Sequence, residues 1–254
     1  GDGLRLKLQT LASEGLGVPV QIEHLALDVW PTPSLALVGL KLQTAAPIRA
    51  QRVQVRPALG NLLAQSRQLE LASLHLQDIQ LPQKGIDQIQ QALSKQKRPA
   101  QNPRGLEPQN ASNSASDSAS GLQIGLLALP QHIRVDRLNW ISAGGDQLGV
   151  SGQLRLNDAR DAAQLELKLA GGSVRGPLRL QGLGAKGGSV KLSGELVTQQ
   201  LDVSALPGLR ERLSGQLGAS TTLQAQASQL GGLGAALQTQ TQFRVDNAVI
   251  KGVD

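Results

Sequence analysis

The sequence predicts a mainly β protein: a strongly curved antiparallel β ribbon that forms a groove, or a partly open barrel-like sheet, with a few short helices. Three observations predict it. Apolar and polar residues alternate with a period of two through most of the chain, the spacing of a strand with one wet and one dry face. The alternation slips by one residue at recurring points, and an extra residue in a strand bends the sheet. A Ser-Gly-x-Leu core recurs in "VSGQLRL" (150–156), "LSGEL" (192–196) and "LSGQL" (213–217), as in a meander of successive hairpins.

The first element is helical. "GDGLRLKLQTLASEGLG" spaces Leu4, Leu8 and Leu11 for one helix face and stops at Gly15 and Gly17. Without a clear N-cap, it reads either as the tail of a longer element or as a short helix docked on a sheet. Strands begin at Val18, with Val18, Val20 and Ile22 on one side. Trp30 precedes Pro31 in "VWPTPSL", so its backbone is extended; the ring suits either a core anchor or a membrane interface.

The slips follow. Leu35 and Leu37 lead to Leu40 and Leu42, Ile48 and Ala50 to Val53 and Val55, and Leu69 and Leu71 to Leu74 and Leu76, then Ile79 and Leu81. Ile133 and Val135, then Leu138 and Trp140, repeat the pattern. Each step of three would turn the apolar set to water unless a bulge restores the register. Strand ends, or strands buried on both faces, give the same pattern without bulges.

Helices are expected at "ALGNLLAQ" (58–65), after Pro57, and at "KGIDQIQQALSKQ" (84–96), where Ile86, Ile89 and Leu93 form a stripe. "LPGLRERL" (206–213) reads as a single short turn. Residues 95–120, rich in Pro, Asn, Ser and Ala, lack apolar periodicity and read as a flexible linker. The expected organisation is therefore 1–94, a helix plus a curved β region with short helices; the linker; and 121–254, a repetitive meander that continues the same sheet.

In the meander, Leu154, Leu156, Leu165, Leu167 and Leu169 share a face with Leu178, Leu180, Val190 and Leu192. The last strand sets Leu237, Thr239, Thr241, Phe243 and Val245 against Gln238, Gln240, Gln242, Arg244 and Asp246. Together with Val18, Val20 and Ile22, the apolar members of these strands are the candidate lipid-facing residues, and Trp30 is the candidate membrane-interface residue.

Composition narrows the function. The 254 residues contain two Trp, one Phe and no Tyr, Met or Cys, so Leu, Val, Ala and Ile carry the burial and the interior resembles hydrocarbon. A net charge of +6 favours anionic surfaces, but single-strand nucleic-acid binders add aromatic stacking platforms. Nucleic acid is not an expected partner. No run approaches the roughly 18–20 apolar residues of a membrane span.

Chemistry is sparse. His24, His75 and His132 lie without metal-binding spacing, and no nucleophile elbow occurs. Gly182, Gly184 and Gly187 satisfy G-x-G-x-x-G, but a dinucleotide site needs a helix directly afterwards and "GSVKLSGEL" alternates as a strand. No enzyme, no cofactor and no metal site is expected.

Three stretches carry a family resemblance: "LASEGLGVPVQIEHLALDVWPTPSLALVGLKL" (11–42), "IRAQRVQVRPALGNLLAQSRQLELASLHLQDIQL" (48–81) and "LQTQTQFRVDNAVIKGVD" (237–254). They resemble the AsmA family of Gram-negative envelope proteins through a helix ending before "G-x-P-V-x-I", a "W-P-x-P-S-L" link, a strand-Pro-helix-strand stretch and a closing "F-x-V-x-N-A-x-I-K-G-V-D". The resemblance implies an inner-membrane anchor through an N-terminal helix missing here and a periplasmic body of curved β ribbon. It implies a role in phospholipid transport, outer-membrane biogenesis and lipid homeostasis. Phospholipid acyl chains are the expected ligand, with outer-membrane or envelope assembly proteins as further partners. The anchor's absence and the end at Asp254 read as a piece of a longer protein. The alternative is a structural or assembly protein of the envelope whose aliphatic face closes on itself as a dry sandwich.

Overall fold

The computed structural model describes residues 2–29, 32–58, 71–96, 130–182, 189–228 and 232–252. Helix α1 (Asp2–Leu16) opens the chain. It ends where Gly17 turns left-handed, φ 69°, and donates its N–H to Ser13 O at 2.9 Å, a termination that glycine performs without a Cβ clash. Strands β1 (Val20–Asp28), β2 (Ser34–Leu42), β3 (Ile48–Pro57) and β4 (Leu71–Pro82) follow, then helix α2 (Gln83–Gln96). After it come β5 (His132–Ile141), β6 (Gln147–Leu156), β7 (Ala162–Leu169), β8 (Gly172–Gln181), β9 (Val190–Asp202), β10 (Leu213–Ala227) and β11 (Gln238–Ile250).

All eleven strands form one sheet in chain order, β1 to β11, without closing into a barrel. The protein is thus mainly β, with two α-helices among the described residues. One feature departs from an all-antiparallel ribbon: β4 and β5 are parallel, Ser73 opposite His132 through Pro82 opposite Ile141. Parallel neighbours need a long crossover, and here the chain from α2 to Gln131 separates them. Because β4 and β5 pair, strands from both sides of the 95–120 segment belong to the same sheet.

The slips in alternation correspond to aligned extra residues. Pairing runs Ile22 to Leu40 and His24 to Val38, stepping over Glu23 and Gly39. It also steps over Gln51 in β3, Asp78 in β4 and Arg137 in β5. Gly39, Asp78 and Arg137 adopt φ of 66°, 51° and 57°, the left-handed backbone of a bulge. Since the extra residues sit beside one another, registers agree on both sides of the line. The line ends at β6, where the register shifts between Val135 and Leu138. A second irregular zone crosses β9, β10 and β11 near Gln200, Gly215 and Asn247.

Three buried apolar clusters lie on one side of the sheet, while Ala36 and Ser34, at 0% and 3% exposure, are buried on the other. Val18, Val20, Ile22, Leu42 and Ile48 lie under Leu8, Ala12 and Leu16 of α1 and Ile89 and Ala92 of α2. Ala50, Val53 and Ile79 form a smaller patch. Leu156, Ala163, Leu180, Val190 and Ala225 gather beneath Leu233. Among the described residues Val203 is the largest side chain less than 2% exposed. A two-layer sandwich of this size would enclose many.

The 206–213 stretch is turn, following a 3-10 turn at Val203–Ala205 capped by Asp202. The helix expected at 58–65 lies almost wholly outside the described residues. So does the linker, apart from Lys95 and Gln96 at the end of α2.

Candidate functional site: an open apolar face

The apolar side of the sheet is built from registered rows. One row runs across every strand: Leu25, Leu37, Val53, Leu76, Val135, Gly152, Leu167, Val174, Thr198, Ala219 and Phe243. A second sets Leu27, Leu35, Val55, Leu74, Ile133, Leu154, Leu165 and Gly176 side by side. The bulge line makes these rows continuous, because it returns the apolar parity to the same face after each slip.

Most of this face is open. Leu154, Leu165, Leu167, Leu169, Leu178 and Leu192 are half-buried, and no second sheet lies over them among the described residues. At the lateral edges exposure rises to 69% for Leu27 and 71% for Phe243. Eleven strands at the usual spacing of about 4.8 Å give a face roughly 48 Å long. Half of a bilayer's hydrocarbon core is about 15 Å.

Inward glycines shape the face. A Cβ on Gly176 would stand 2.0 Å from Glu195 O, and one on Gly152 would stand 2.3 Å from Glu166 O. Gly194 would meet Leu178 Cδ2 at 2.5 Å and Pro177 O at 2.8 Å. The neighbouring main chain leans over these positions, as in a sheet folded toward its apolar side. Each glycine faces a leucine across the ladder: Gly152 to Leu167, Gly176 to Leu165, Gly194 to Leu178. Leucines thus fill space that a second large residue would contest.

The opposite side is polar and cross-linked. His75 Nε2 meets Asp136 Oδ2 at 2.6 Å, and Arg134 Nε donates to Asp136 Oδ1 at 3.1 Å. The His75 bond, aided by Arg134, holds the Asp136 carboxyl below its ordinary range. Arg137 grips Asp78 through Nε and Nη2, the latter at 2.8 Å to Oδ2, which likewise lowers the Asp78 pKa. Both contacts bridge the parallel β4/β5 seam. Gln153 Nε2 donates to Glu166 Oε2 at 2.8 Å, extending the polar layer to β7.

The expected lipid-facing residues divide. Leu154, Leu165, Leu167, Leu169, Leu178, Leu192 and Val245 stand half-buried on the open face, with Phe243 exposed at one edge and Leu237, 45% exposed, just before β11. Val18, Val20 and Ile22 are instead closed under α1 and α2, at 5%, 5% and 2% exposure. They are core, because the helix stripes need an apolar surface to bury. Leu156, Leu180 and Val190 are core as well, at 7%, 5% and 7%. Trp30 lies outside the described residues. Sequence reasoning missed Leu25, Leu27 and the inward Gly176 of β8. Local alternation could have supplied the leucines, but not the close contacts of Gly176.

His75 is engaged by Asp136, and His132 faces Gln153 at 3.1 Å. Among the described residues no group of three His, Cys, Asp or Glu is placed to hold a metal ion. The Gly-x-Gly stretch lies mostly outside the described residues, and strand β9, not a helix, follows it. Fold and site together define a single-sheet β protein with one open aliphatic face. No protein-family model and no curated protein matches the chain.

Proposed function

We propose that this chain is a lipid-binding or lipid-conducting module whose open face receives acyl chains. The observation that carries the reading is the row from Leu25 to Phe243, apolar in side chain on every strand but at Gly152 and Thr198 and half-buried or exposed over most of its length. Water against such a face is costly. Covering it with hydrocarbon gains about 0.8 kcal/mol per methylene removed from water, so two tails gain several kcal/mol even when partly covered. A headgroup remains in solvent at the rim, and the chemistry demands no specific donor. With the AsmA-like stretches, the reading extends to a periplasmic part of an inner-membrane-anchored protein that moves phospholipid in support of the outer membrane.

Site-specific photo-crosslinking tests it. A photoreactive side chain at Leu167, incubated with phospholipid vesicles, should capture acyl chains. The same group at Glu166, on the polar side of the same strand, should capture none. Equal capture at both positions, or capture at neither, would defeat the reading.

A further inference from the structure

The polar side of the sheet is unevenly charged. Strands β2 to β8 contain ten Lys and Arg and three Asp and Glu, a net +7 where the whole chain has +6. Register keeps these residues off the apolar rows: in β3, Arg49, Arg52 and Arg56 pair with Gln80, Gln77 and Ser73 of β4, while Ala50, Val53 and Val55 pair with Ile79, Leu76 and Leu74. Two of the three acids are already engaged, Asp78 by Arg137 and Asp136 by His75 and Arg134. Lys41, Arg49, Arg56, Arg155, Lys168 and Arg179 form no ion pair among the described residues. Lys41 stands directly opposite Arg49, and like charges so placed destabilise a ladder. Self-repulsion over the whole face adds to that cost. An anionic partner relieves both.

We propose that the polar face of β2 to β8 docks an acidic protein segment, one rich in Asp and Glu side chains. Eight of the ten cations are Arg, whose planar guanidinium takes a carboxylate through two parallel N–H bonds. Other anions fit less well. Single-stranded nucleic acid stacks its bases on aromatic side chains, and the one aromatic residue of these strands, Trp140, lies on the apolar side, opposite Leu81 and Leu148. Surface-bound proteins hold a bilayer by sinking apolar side chains into it, and none of the exposed large apolar residues lies on β2 to β8. The sheet folds toward its apolar side, so its polar side bows outward. A flat bilayer or a stiff duplex touches only the crest of such a surface. A flexible segment follows it and can set carboxylates over successive strands, about 4.8 Å apart.

This surface is the reverse of the one that receives acyl chains in the proposed function. The docking rests on charge and register alone, so it stands whether or not lipid is the ligand of the apolar face.

The test is fluorescence anisotropy of a labelled oligoglutamate peptide titrated with the 254-residue chain. Wild type should bind it, and the affinity should fall as salt is added. Arg56→Glu with Arg155→Glu should weaken binding at least about tenfold. Lys84→Glu with Lys95→Glu makes the same change in net charge on α2, which packs over the apolar side, and should alter binding less than about twofold, since those charges lie beyond easy reach of the face. Arg56 and Arg155 are exposed, so circular dichroism and melting should match wild type. As a second line, the milder Arg49→Gln with Arg179→Gln should also weaken binding, by neutralising two cations without adding acids. Phosphatidylglycerol vesicles and single- and double-stranded oligonucleotides serve as competitors. Wild type that ignores oligoglutamate, an α2 variant that loses as much affinity as the face variant, unchanged binding by either face variant, or tighter binding to the vesicles or an oligonucleotide than to oligoglutamate would each overturn the proposal.

Discussion

Leu167 and Gly176 sit one strand apart on the same face, and they respond to opposite faults. Leu167 lies half-buried opposite Gly152 and Val174, with open space above the face. A carboxylate there can be hydrated once lipid leaves, so Leu167→Glu should melt within a few degrees of wild type while losing copurified lipid. In a closed sandwich the same change would bury an unpaired charge and unfold the domain. Gly176→Ala drives a Cβ into Glu195 O, a backbone atom that moves only with its strand. It should cost roughly 1–3 kcal/mol in chemical denaturation while sparing lipid capture by whatever folds. The leucines were legible because alternation alone assigns them a side. Gly152 and Gly194 were legible as close approaches through the Ser-Gly-x-Leu repeat, whereas Gly176 was not, since its reason is a neighbouring main chain that the local sequence does not describe.

At the scale of elements, the parallel seam and the contact of α1 with β1 are the places to press. Asp78 and Asp136 both have lowered pKa values, through Arg137 and His75 respectively. A carboxyl whose folded pKa lies below its unfolded value of about 4 lends stability that is fully present above that value. The stability is lost as pH falls through the lowered one. The melting temperature should therefore hold from about pH 7 to 5 and decline below about pH 4, and Asp136→Asn should flatten that decline. In α1, Gln9→Ala removes the acceptor for the Ile22 N–H; amide exchange at Ile22 should accelerate, with a loss of roughly 1 kcal/mol. Unchanged exchange would show that α1 does not cap Ile22. The bulges of β2 to β5 were readable as parity slips, because a strand that changes parity must either bulge or expose its apolar side. The parallel pairing was not readable. Nothing within β5 says which earlier strand it joins, and residues 95–120 of the crossover carry no apolar periodicity. The core role of Val18, Val20 and Ile22 escaped for a related reason: alternation assigns a residue to a face without telling what covers it.

Over the whole molecule, one sheet of eleven strands carries its apolar residues on one side and an ionic, hydrogen-bonded layer on the other. Helices α1 and α2 close one region of the apolar side, and Leu233 closes another. The stretch between them stays open, too broad to be an accident of packing and matched in chemistry to hydrocarbon because the chain has almost no aromatic residues. On the proposed function, acyl chains occupy this open stretch. Native mass spectrometry of protein purified without detergent tests it most directly. Wild type should carry adducts at phospholipid masses, released by organic extraction and absent from Leu167→Glu of equal fold. Wild type that carries no lipid after exposure to phospholipid vesicles, or Leu167→Glu that retains the full adduct series, would contradict it.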